Sequence, residues 1–200
     1  MPYYSQFETP ALIPTLLADG FEEGLPSDPL WRLSGAEDQT EYVAWAANAC
    51  GMACLKMVLA ARTDAVHPTL ALARKCAGYG GYAVNPDDGT IRGLIYAPFT
   101  RFVAECFDLE AKVITGIEVT DLPAVMREYG FFLASVHPAI RWPDRDPPAK
   151  GGHLVLVTAA TPSGVVFHNP SGHTPRSQID VALPLADFDR FFASRGIAIV

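Results

Sequence analysis

Gly151-Gly152-His153-Leu154-Val155-Leu156-Val157-Thr158-Ala159-Ala160 is a run of β-formers opened by two glycines and a histidine. Aliphatic residues at this density, rich in branched side chains, read as a strand. Thr161-Pro162-Ser163-Gly164 supplies a turn, and Gly164-Val165-Val166-Phe167-His168 supplies a partner strand. Asn169-Pro170 follows it directly. The interval from His153 to Asn169 fits two strands of about six residues with a turn between them. The end of the second strand therefore returns beside the start of the first.

Outward from this hairpin, Ala111 to Thr115, Phe131 to Val136 and Gly196 to Val200 also read as strands. The earlier chain reads as helices over about 10–18, 49–61, 69–76, 99–107 and 121–129, with a late one over about 184–193. Asn48 is the expected N-cap of the second helix, and Gly130 closes the fifth. Helices mostly first and antiparallel strands mostly later make an α+β layout. The first forty residues are rich in Pro, Gly and acidic side chains. They read as an N-terminal arm, residues 1–40, of one domain spanning 1–200. Tyr3, Tyr4, Phe7, Leu12, Ile13, Leu16 and Leu17 give this arm enough apolar surface to dock.

The chain has 200 residues, half of them apolar and 18% charged, which excludes a disordered chain. The net charge of −7 and the lack of any Lys/Arg cluster argue against nucleic acid and anionic membrane as partners. No basic-then-apolar leader opens the sequence, and no stretch approaches the ~18 apolar residues that span a bilayer. A cytoplasmic location is expected. The four cysteines, Cys50, Cys54, Cys76 and Cys106, are expected to stay reduced there. Cys50 and Cys54, one helical turn apart without a second pair, are a weak metal signal, so no metal or other cofactor is expected.

Cys50 opens an apolar helix in Asn48-Ala49-Cys50-Gly51-Met52-Ala53-Cys54. A helix N-terminus lowers a thiol pKa, and its unpaired N–H groups can hold a developing oxyanion. Gly51 would let a substrate carbonyl approach, and Gly151-Gly152 would leave bare backbone for a substrate strand. His153 suits proton exchange with a thiol, and the Asn169 side-chain carbonyl can fix the imidazole tautomer. Blander readings stand beside these. A cysteine in an apolar helix is usually packing, which is the reading for Cys54. Asn169-Pro170 can be a plain turn, and Asp187 and Asp189 are rivals for its role. His168 neighbours Asn169, but strand alternation turns adjacent side chains to opposite faces. His67, His137 and His173 read as loop residues, and Trp45 and Trp142 as scattered aromatics. Arg141 to Lys150 is a polar, Pro-rich loop, either a cleft wall or a solvated connector.

Together, Cys50-Gly51 opening an apolar helix, Gly151-Gly152-His153 opening a strand and a strand ending in Asn169-Pro170 resemble the papain-like cysteine peptidases. The bacterial double-glycine leader peptidases are the most similar group, and Pro2-Tyr3-Tyr4-Ser5-Gln6 resembles the opening of their stand-alone members. The resemblance runs from Pro2 to about Gly172. It implies a papain-like fold, with a nucleophile helix packed on an antiparallel sheet. It implies a peptide or protein substrate, a thioester intermediate and Gln6 as the side-chain donor of the oxyanion hole. Many relatives have Asp where this chain has Asn169, although papain uses Asn. Many also carry the Gln nearer the Cys, which makes Gln39 a rival to Gln6. A transferase, cyclase or amidase would share the same acyl-enzyme. A catalytically silent peptide-binding module would share only the fold. A thiol redox protein using Cys50 and Cys54 is the remaining alternative, and its spacing is poor.

Overall fold

The computed structural model describes residues 1–200. Two short strands, β1 (Ala83–Val84) and β2 (Ile91–Arg92), make a small hairpin. The remaining strands are β3 (Ala111–Thr115), β4 (Phe131–Val136), β5 (His153–Thr161), β6 (Gly164–His168), β7 (Val181–Pro184) and β8 (Phe192–Ile199). They form one antiparallel sheet in the order β3-β8-β4-β5-β6-β7. The expected β5–β6 hairpin forms, with Thr161 opposite Gly164 and Leu156 opposite His168.

Period-two alternation divides the core between the two faces of this sheet. Leu133, Leu154, Leu156, Ile197 and Ile199 face one apolar cluster. Phe132, Ala134, Val155, Val157 and Ala198 face the other. Helix α1 (Ile13–Asp19), α2 (Phe21–Gly24) and α3 (Gln39–Ala46) lead into α4 (Cys50–Thr63), and α5 (Thr69–Gly78) and α6 (Tyr96–Phe107) follow. Every residue of α4 from Gly51 to Ala60 is buried, which explains why it is apolar on most sides. Its packing partners on the sheet include Leu154 and Leu156. Helix α7 (Leu122–Tyr129) covers the opposite face, starting with Pro123 in its first turn and ending at Gly130. The short α8 (Pro175–Gln178) and α9 (Leu185–Asp189) complete the chain. No single helix is long and apolar enough to cross a membrane.

Several expectations needed correction. Asn48 does not cap α4: the N-cap is Ala49, without a side-chain bond, and Asn48 Nδ2 donates back to the Ala44 carbonyl at 3.3 Å. The late helix is only α9, because Phe191 and Phe192 are drawn toward β4, where Phe192 opens β8. The His137 N–H donates to the Phe191 carbonyl at 2.9 Å, and Phe192 pairs with Val136. Strand pairing there overrides the helical period, so the last strand starts at Phe192 rather than Gly196.

The arm docks, and it does so beside Asn169. Tyr3 Oη donates to the Asn169 carbonyl at 3.0 Å, and Ser5 Oγ and the Gln6 N–H both donate to the Pro170 carbonyl at 2.9 Å. Phe7, Ile13, Leu16 and Leu25 are buried in the α4 cluster. Further along, the buried Asp28 carboxylate accepts hydrogen bonds from Thr9, Leu30 and Tyr42, which ties the arm to α3. A buried carboxylate is tolerable because its lone pairs are occupied.

Candidate active site

Cys50 and His153 line the same cavity, about 340 Å³ in volume, between the start of α4 and the start of β5. Gly152, Leu94, Tyr96, Ser135 and Arg195 complete most of its wall. The histidine is placed by sheet register. Because Leu156 lies opposite His168, Val155 falls opposite Asn169, and Asn169 shares a face with His153 two residues along β5. His153 Nε2 lies 2.9 Å from Asn169 Oδ1. The Ser171 N–H also donates to that oxygen, at 3.1 Å, which fixes the amide with its oxygen toward the ring. The proton of this pair therefore sits on Nε2, leaving the Nδ1 lone pair without a protein partner and available to a thiol.

A layer behind the ring was invisible in the sequence. Ser171 Oγ lies 3.1 Å from His153 Nε2. Arg141, nearly buried, donates from Nε to the Ser171 carbonyl at 2.6 Å, from Nη1 to the Pro138 carbonyl at 3.1 Å, and from Nη2 to Ser171 Oγ. Arg141 stands at the head of a polar loop, and nothing in its neighbours announces that it turns inward. Ser171 had a weak signal: a hydrogen-bonding residue two positions after Asn is the geometry of an Asx turn.

The electrostatics reverse one expectation. Although part of Cys50 reaches the cavity, burial raises its thiol pKa above the usual value. The backbone N–H groups of Leu154 and Gly51 and the Arg141 charge pull the other way without overcoming it. Burial also lowers the His153 pKa from 6.5 to about 3, helped by the Arg141 charge and opposed by the Asn169 hydrogen bond. Burial thus acts against charge on both groups, opposed by the helix N-terminus at Cys50 and by the Asn169 hydrogen bond at His153. Such a pair can still react if Nδ1 takes the thiol proton as the sulfur attacks.

The shift of His153 gives a stability prediction. Between pH 6.5 and about 3 the unfolded chain binds a proton at this position and the folded chain does not. Stability is therefore expected to rise with pH through that window and to be lost as pH falls through it. His153→Gln is expected to flatten the dependence of the urea midpoint between pH 7 and pH 4. An unchanged slope would contradict the buried neutral imidazole.

The other candidate residues separate clearly. Gln6 is buried, and its Nε2 donates to the carbonyls of Ala46 and Ala47 at 3.0 and 3.2 Å, the residues leading into α4. Both amide hydrogens are thus engaged, and Oε1 is buried without a partner. At the start of α4, the N–H groups of Gly51 and Met52 take no backbone carbonyl. Gln39 donates to the Pro26 carbonyl at 2.7 Å and lines a different, acidic groove of about 890 Å³ with Glu22, Glu23 and Asp88, which contains neither Cys50 nor His153. Gly51 is buried, and a Cβ there would stand 2.8 Å from Leu94 and 3.1 Å from Leu154, so its lack of a side chain serves helix-on-sheet packing. Gly151 and Gly152 have φ of +88° and +95°, which L side chains rarely adopt, and Gly152 lines the cavity.

Cys54 is buried, with Sγ 3.8 Å from the Leu154 carbonyl. His168 is buried and accepts from the Asp180 N–H at 3.0 Å, away from the cavity. His67 packs on Phe107, His137 accepts from the Ala139 N–H, and His173 packs on Trp142. Asp187 and Asp189 pair with Arg190 and Lys150. Trp45 packs edge-on to Tyr82.

No family model matches the chain. No curated protein matches it in sequence. Solved structures do match it. The peptidase domain of Streptococcus ComA, a bi-functional ABC transporter involved in a quorum-sensing pathway, superposes with a TM-score of 0.52 at 14% identity, covering 77% of this chain and 92% of that domain. A C39-like peptidase from Bacillus anthracis gives 0.50 at 15% identity, covering 76% and 88%. A double-glycine-motif protease from an AMS/PCAT transporter, in complex with the leader peptide, gives 0.45 at 23% identity, covering 75% and 82%. With its helix-borne Cys50 packed on a six-stranded antiparallel sheet, the chain has the papain-like fold of the C39 peptidase domains.

Proposed function

We propose that this chain is a cysteine peptidase in which Cys50 is the nucleophile, His153 the general base and acid, and Asn169 the residue that orients His153. The observation that carries this reading is the 2.9 Å pairing of His153 Nε2 with Asn169 Oδ1 on the wall that faces Cys50. In this account Cys50 Sγ attacks the scissile carbonyl while His153 Nδ1 takes the thiol proton. The tetrahedral oxyanion is held by backbone N–H groups at the start of α4. His153 then protonates the leaving amine, and a thioester remains. Water, activated by His153, completes hydrolysis. Gln6 is proposed to assist the oxyanion once its amide turns from the Ala46 and Ala47 carbonyls. Residues 1–200 work as one domain in this reading, with 1–40 as its arm. The substrate is a peptide, with removal of a leader segment as the specific form suggested by the sequence resemblance.

One observation favours a second reading. A Cys50 thiol pKa raised by burial and a Gln6 whose donors are already engaged suit a silent peptide-binding module. Incubating the protein with a peptide library, with and without an added small amine, separates the cases by product mass. Hydrolysis gives new carboxyl termini. Acyl transfer gives amide products that require the amine. Unchanged peptides would contradict the enzyme reading.

A further inference from the structure

The cavity at Cys50 carries a pair of unpartnered polar groups that the proposed chemistry does not use. Ser135 is only 2% exposed and lines the cavity, yet its hydroxyl makes no hydrogen bond within the protein. Arg195 lines the same cavity from β8. It takes part in none of the ion pairs of the fold, which engage Arg74, Lys150, His168 and Arg190 instead. The two groups converge. Arg195 Nη2 and Ser135 Oγ come within 3.3 and 3.4 Å of the place where a Cβ on Gly151 would stand. With Ala193 Cβ also at 3.3 Å, these groups pack closely around the bare backbone of Gly151, immediately before the histidine strand.

No acidic residue lines this cavity. Behind it lies the Arg141 guanidinium, whose charge reaches both Cys50 and His153. In a chain with a net charge of −7, the charged groups named at and behind this cavity, Arg195 and Arg141, are both cationic. An exposed guanidinium beside a cavity-lining hydroxyl, in a cavity lined by no acid, is complementary to a carboxylate. Leu94 and Tyr96 also line the cavity and offer apolar surface to the stem that carries it. The cavity volume of about 340 Å³ falls at the lower end of ligand sites and suits one or two residues rather than a long segment.

We propose that Arg195 and Ser135 form a specificity subsite for a carboxylate on the substrate, an Asp or Glu side chain within a residue or two of the scissile bond. This rests on the peptidase reading of Cys50 and His153 and narrows its substrate class.

Four peptidyl chloromethyl ketones test it: acetyl-Glu-Gly, acetyl-Gly-Glu and their two Gln counterparts. In each, Cys50 Sγ forms a bond to the methylene carbon, chloride leaves, and the thiol proton passes to His153. Mass mapping reads the rate at Cys50. In the wild type, one Glu probe is expected to react about five- to tenfold faster than its Gln partner, and added salt to shrink that ratio. Arg195→Gln is expected to bring the ratio to about one, Arg195→Glu to push it below one, and Ser135→Ala to reduce it in part. A Glu preference that is absent in the wild type, or that persists unchanged in Arg195→Gln, overturns the subsite while leaving the peptidase reading intact. Failure of every probe to alkylate Cys50 overturns the peptidase reading, and the subsite with it.

Discussion

Replacing His153 by Ala is expected to slow peptide cleavage by about 10²- to 10⁴-fold, the usual contribution of a positioned general acid–base. The expectation follows from the burial of the pair. Burial raises the Cys50 thiol pKa, so attack depends on a base that removes the proton as the bond forms. His153 is the histidine that shares the Cys50 cavity, and its Nδ1 is the ring nitrogen left free by the Asn169 pairing. Asn169→Ala should act through the same ring with a smaller loss, because Ser171 Oγ still lies 3.1 Å from Nε2. Cleavage rates by mass spectrometry check both. A His153→Ala protein that cleaves within a factor of a few of the wild type would assign the base to another group.

Phe167→Ala is expected to cost about 3–5 kcal/mol of stability, the usual range for deleting a buried aromatic. Phe167 is fully buried on β6 and packs against Phe188, ring centroids 5.5 Å apart, which in turn packs on Phe192. Few neighbours can close such a gap, because β6 is fixed between β5 and β7. Against a total of about 5–15 kcal/mol for a domain, the loss is a large fraction. It also loosens the strand that delivers Asn169, so reactivity at Cys50 is expected to fall along with stability. Urea unfolding reads the first effect. Leu33→Ala, at a site 61% exposed, serves as the control and is expected to stay within about 0.5 kcal/mol. A Phe167→Ala loss below about 1 kcal/mol would contradict the role given to this cluster.

The parts of the fold legible in the sequence are those set by local rules. The β5–β6 hairpin follows from β-branched runs and a Pro-Ser turn, and its register alone brings Asn169 to the His153 face. The apolar run of α4 marks a buried helix wherever it packs. The arm's aromatic and aliphatic residues are enough to predict docking.

Less legible were features decided by distant groups. Helix α3 has no strong apolar period, although Asp38 caps it by accepting from the Glu41 N–H at 2.8 Å, a pattern present in Asp38-Gln39-Thr40-Glu41. The short β7 becomes a strand through its pairing with β6. Phe191 and Phe192 leave the helical pattern because β4 offers them a partner strand. Arg141 and Ser171 became part of the site only through tertiary approach across thirty residues of sequence. The burial acting on Cys50 was hidden for a related reason. A helix N-terminus is visible in sequence, but the desolvation that opposes it is a property of the packed site.

The measurement closest to the central claim is alkylation by dilute iodoacetamide at pH 7, with mass mapping of each cysteine in the wild type and in His153→Ala. The exposed Cys106 provides an internal reference, since it lies outside the site cavity. The expected result is that Cys50 reacts faster than Cys106 in the wild type and slows by at least about tenfold in His153→Ala, while the Cys106 rate stays fixed. If Cys50 labels more slowly than Cys106 and at the same rate in both proteins, Cys50 and His153 are not a reactive pair, and the peptidase reading fails.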